Sequence, residues 1–182
     1  MLKLKIKDPE QLIPDARIAA EAASRGVEVL VVEHLRKKND ATPPNRYGLP
    51  KSNYYADAAK NVQASSNGRV ASVEIDHPGL ALHHDGGTVY PKKKALAIPI
   101  DPAVAGIWPS EAGGIATGGA DDELYALIWP KGARHGFIKD TETNDLLWLL
   151  VPKATIPADP TVLPTDGEVL NAAEAAVWEA FS

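Results

Sequence analysis

Apolar and polar residues alternate at the start of the chain and again near its middle, and stretches with helical spacing lie between and after these alternations. Leu2, Leu4 and Ile6 alternate with Lys3, Lys5 and Lys7, the pattern of a half-buried strand. Asp8-Pro9-Glu10-Gln11 then supplies an acidic N-cap, a proline at the first helical position and a glutamine at the third, which predicts a helix start near Pro9. Pro14 interrupts that helix, and Ile18, Ala22, Val29 and Val32 carry it on from Ala16 to about Lys38. The run Val27 to Val32, placed after Gly26 and rich in β-branched residues, offers a strand as the competing reading.

Residues 39–52 hold three prolines, a glycine and several turn formers, and predict a loop before a short helix over Asn53 to Ala64. Arg69 to Ile75 alternates like a strand with one wet face, and Asp76 to Gly79 turns the chain. From His77 to Pro102 the pattern reads as a hairpin: Leu80 and Leu82, then Leu96, Ile98 and Ile100, fall at period two around Gly86-Gly87 and a lysine triplet. Residues 103–122, with Gly113, Gly114, Gly118 and Gly119 and no period, predict a flexible loop. Strands follow at Leu124 to Trp129, His135 to Lys139 and Leu146 to Val151, the last apolar throughout and therefore placed centrally. Thr165-Asp166-Gly167-Glu168 is a capping box opening a terminal helix with a stripe of Leu170, Ala173, Val177 and Phe181. This order predicts an α+β fold over 1–182 as a single domain, an antiparallel sheet flanked by N-terminal helices and a C-terminal helix.

Composition narrows the function. A chain of 182 residues, 45% apolar and 24% charged, is long enough for its own core. Fifteen prolines and fourteen glycines put much of it in loops and strand ends. The lack of cysteine removes disulfides, thiolate metal sites and cysteine nucleophiles, and makes the cytoplasm the expected place of folding. The first strand lacks the apolar run of a signal peptide or membrane span, so no membrane association is expected. A net charge of −5 argues against a surface that grips nucleic acid as a whole, though not against a local basic patch.

Few residues carry chemistry. His77, His83, His84 and Asp85 are suited to metal, but neighbours on a strand point to opposite faces, so His83 and His84 do not reach one ion there. Gly113 to Gly119 lacks the spacing of a phosphate loop. Asp121, Asp122 and Glu123 are consecutive rather than convergent, and Ser110 sits in no nucleophile motif. Arg36, Lys37 and Lys38 complement a helix C-terminus. Lys92, Lys93 and Lys94 gain little within a hairpin loop and suit an acidic partner or a phosphate backbone. Trp108, Trp129, Trp148 and Trp178 are expected in the core or at a subunit interface. No catalytic residue, metal ligand or cofactor site is expected.

The strings NRYGLPKSNYYADAAK, VEIDHPGLALHHDGGTVYPKKKALAIPI and LLVPKATIPADPTVLP, in this order, resemble the phage virion-morphogenesis family, the tail-completion type of Mu-like phages. The resemblance covers most of the chain and is weakest over 103–122. It implies a non-enzymatic structural protein of the virion neck, made in the host cytoplasm, which completes the tail or joins it to the head as a ring of identical subunits. Its partners would be further copies of itself and adjacent tail or head-connector proteins. The family's loop maps onto Gly86, Gly87, Thr88, Val89, Lys92, Lys93 and Lys94, which the resemblance marks as an assembly contact. Two alternatives stand beside it: a DNA-contacting module using Lys92 to Lys94, and a metal-dependent hydrolase using His83 and His84.

Overall fold

The computed structural model describes residues 2–6, 15–44, 47–112, 115–116 and 124–182. In chain order the elements are β1 (Leu2–Ile6), α1 (Ala16–Ala41), α2 (Tyr54–Ala59), β2 (Val62–Ser66), β3 (Ala71–Ile75), α3 (Leu80–Asp85), β4 (Gly87–Val89), β5 (Leu96–Pro99), β6 (Ile115–Ala116), β7 (Tyr125–Ile128), β8 (Gly136–Asp140), β9 (Leu146–Val151), β10 (Ala154–Ile156) and α4 (Asp166–Ala180). The α+β class expected from the sequence is the class observed. The chain read as one domain divides into two compact units, one of residues 1–42, 53–87 and 157–182, the other of 43–52 and 88–156.

In the first unit β1 and β2 flank β3 in an antiparallel sheet. Ala71, Val73 and Ile75 send alternate side chains into a core shared with Val27, Val31 and Leu35 of α1. The strand alternative for Val27 to Val32 is corrected: the segment is helical, and the complete burial of Val27 and Val31, one turn apart, outweighs the weak helix preference of valine. α1 is capped by Asp15, whose carboxylate accepts from the backbone N–H groups of Arg17 and Ile18. The helix start expected near Pro9 lies outside the described residues. At Gly26 a Cβ would stand 2.5 Å from Ala176 Cβ and 2.8 Å from the Ala172 carbonyl oxygen, so the glycine is what lets α4 lie against α1.

The helix expected over Asn53 to Ala64 ends at Ala59, and Val62–Ser66 is a strand. Asn67-Gly68 explains why. The Asn67 side chain accepts from the Arg69 and Val70 N–H groups and Gly68 takes φ +86°, a tight turn that folds β2 back on β3. α4 begins as expected, with Thr165 and Glu168 exchanging the two bonds of a capping box. Its buried stripe keeps Ala173 and Val177 of the expected set but starts from Val169: Val169 and Ala173 are buried and Val177 packs on the core, while Leu170 and Phe181 are exposed.

In the second unit a five-stranded sheet runs β5-β9-β8-β7-β6, antiparallel except for the short parallel β6–β7 pair. β9 lies between β5 and β8, and Trp148 at its centre is fully buried. Its indole N–H donates to the Ile107 carbonyl, and Val104, on a 3-10 turn over Pro102–Val104, closes the same core. Thus the expected loop 103–122 starts with a packed turn; its residues 113–114 and 117–122 lie outside those described. Trp148 is the core tryptophan, whereas Trp108, Trp129 and Trp178 are exposed. β4 and β10 form a separate two-stranded ribbon.

Candidate functional site

The segment from Leu80 to Lys94 is not a strand with a hairpin tip. Pro78-Gly79 reverses the chain, Gly79 in the left-handed region at φ +78°, and Leu80–Asp85 forms one and a half turns of helix with Leu80 buried beneath it. Three residues of alternation, Leu80 to Leu82, fit a short helix as well as a strand. The earlier argument that His83 and His84 diverge across a strand therefore fails, although the two imidazoles still take different partners. His83 Nδ1 is 3.3 Å from the Tyr55 hydroxyl, and His84 Nδ1 is 2.6 Å from the Asp85 carboxylate. No group of three or more His, Asp or Glu is placed to hold a metal ion among the described residues.

Gly86 ends α3 at φ +75° and ψ 172°, a conformation essentially closed to residues with a Cβ. A Cβ there would also meet the Ala158 backbone nitrogen at 2.6 Å. The chain then enters the β4–β10 ribbon, where the Thr88 and Thr155 hydroxyls are 3.4 Å apart. After Tyr90-Pro91 it bends through Lys92, Lys93 and Lys94, all exposed, before entering β5. None of the three lysines forms an ion pair with a carboxylate of the described residues. The loop residues marked by the family resemblance thus fall into two kinds: Gly86 and Gly87 shape the backbone, and Lys92 to Lys94 project charge.

A polar clasp holds the helix that launches this loop, and the sequence alone did not reveal it. The Asp159 backbone N–H donates to the carbonyls of His83 at 3.0 Å and His84 at 3.2 Å, satisfying the end of α3. The Asp159 carboxylate accepts from Lys38 Nζ at 2.6 Å, from the Thr161 hydroxyl at 2.6 Å and from the Thr161 N–H at 3.1 Å. Hydrogen bonds from Lys38 and Thr161 hold its pKa down, from 3.8 to about 2. His34 Nε2 donates to the Thr161 carbonyl at 3.0 Å, so α1 grips this strap at two points one turn apart.

The other side of α3 is aromatic. Tyr54 stacks on His83 with ring centroids 4.6 Å apart, meets His77 edge-on at 4.6 Å, and donates its hydroxyl to the Pro78 carbonyl. Burial among these rings lowers the pKa of His83 against the opposing pull of Asp159, and burial raises the pKa of both tyrosines. The arrangement is a fastening with no activated nucleophile. Lys38 had a sufficient explanation in the helix dipole, and Asp159 lay in what read as a proline-rich connection. The available signal was Asp159-Pro160-Thr161, an Asx-capped turn.

No protein-family model matches the chain, and no curated protein or solved structure matches it. No helix among the described residues is long and apolar enough to cross a membrane.

Proposed function

We propose that this chain is a structural protein of a phage virion that completes the tail or joins it to the head as a ring-forming component of the neck. The observation that carries the reading is the string from Val73 to Ile100, whose resemblance to the virion-morphogenesis family centres on the loop Gly86 to Lys94. Its lysines are exposed and Gly86 at its start takes a backbone conformation reserved for glycine, as suits a contact presented to a partner. Phage carrying a nonsense codon early in the gene test it. Electron microscopy of their lysates is expected to show DNA-filled heads apart from unattached or overlong tails, restored by complementation, and normal virions would reject the reading.

A DNA-contacting role is favoured by one observation, the three exposed lysines without carboxylate partners among the described residues. Binding of duplex DNA that weakens steeply with salt and is lost on replacing Lys92 to Lys94 by alanine would support it.

A further inference from the structure

The terminal helix and the lysine loop are chemically opposite surfaces, and each is left open. α4 buries Val169 and Ala173, but Leu170 and Trp178 lie outward two turns apart with Glu174 between them, and Phe181 falls on the same face. Trp178 is 75% exposed. No lysine or arginine occurs from Ala154 to Ser182, while Asp159, Asp166, Glu168, Glu174 and Glu179 do, so the helix is acidic along its length. The side chains of Glu174 and Glu179 form no ion pair or hydrogen bond with another of the described residues. The other surface has Tyr90, 68% exposed, followed by Pro91 and the three lysines, which pair with no carboxylate of the described residues.

We infer that the outward face of α4 on one copy of the chain docks on the Tyr90–Lys94 loop of another copy, Trp178 and Tyr90 supplying apolar contact and Glu174 and Glu179 meeting the lysines. Aromatic residues isolated in water are poor surface residues and good interface anchors. The charge complementarity lies within one sequence, so the occupant that fits is a second copy. Joining two different patches on identical chains is a heterologous contact, which propagates head to tail and makes a ring where its rotation closes and an open filament where it does not. This deepens the neck reading above and rests on it for its biological setting, but its physical test is independent.

The test is sedimentation velocity of the purified full chain over a concentration series. Self-association is expected, weakening as salt rises from about 0.1 M to about 1 M and the Debye length falls from about 10 Å to about 3 Å. A variant with Lys92→Glu, Lys93→Glu and Lys94→Glu, and a second with Glu174→Lys and Glu179→Lys, are each expected to associate at least about tenfold more weakly than the parent. Mixed in equal amounts the two variants regain association, because one native and one charge-swapped contact become available. Trp178→Ala weakens the parent without changing its salt dependence. A parent that stays monomeric, or reversals without effect, or a mixture that does not associate would each overturn the inference. Neck-defective lysates with a parent that associates through another surface would retain the neck reading while rejecting this interface.

Discussion

Gly86 and Asp159 show how single residues set the end of α3. Gly86→Ala forces a Cβ into a backbone region reserved for glycine and against Ala158, and is expected to destabilise the fold by about 1–3 kcal/mol or more, read as a lower denaturant midpoint. Asp159 has a folded pKa below its unfolded value, so its contribution is present at neutral pH and disappears as pH falls from about 4 through about 2. Asp159→Asn should therefore lower stability at pH 7 and flatten the dependence in that acid range. His83 acts earlier in the same direction. Its folded pKa lies below 6.5, so stability is retained above that value and declines as pH falls beneath it, because the unfolded chain takes up the proton more readily. His83→Gln should remove that slope, measured by urea titrations at a series of pH values.

At the level of elements, the strongest local signals were legible: the Thr165–Glu168 capping box, the alternation in β3 and the continuous apolar run of β9. Short segments were less so. Asn67-Gly68 is a strong hairpin signal, yet extending α2 to Ala64 hid the strand before it; Leu80 and Leu82 imitated a strand because three residues do not define a period. The middle of the α4 stripe, Ala173 and Val177, was legible, but its ends depended on tertiary contact, since the helix turns small residues toward Gly26 and leaves Leu170 outside. Of the candidate site, the glycines and lysines were readable, but the clasp joins Lys38 to Asp159 across 121 positions, a pairing no local pattern carries. The α1–α4 contact yields its own expectation. Gly26→Leu overfills a space closed at 2.5 Å and should cost about 1–3 kcal/mol, with hydrogen exchange rising first in α4.

At the scale of the whole molecule, the exposed apolar residues do not form part of either core. Trp178 and Tyr90 protrude while Trp148 is sealed, so intrinsic fluorescence separates assembly from folding: association should blue-shift a component that Trp178→Ala removes, leaving the unfolding transition reported by Trp148 in place.

The core of the first unit draws on three stretches of chain, including Val162, Leu163, Val169 and Ala173 from the last of them. A ribosome consequently delivers every residue of the second unit before it delivers the side chains that complete the first. During that interval Val27, Val31 and Leu35 lack part of their cover, and release after Ile156 but before α4 is made would yield a chain whose second unit is whole and whose first invites chaperones and proteases.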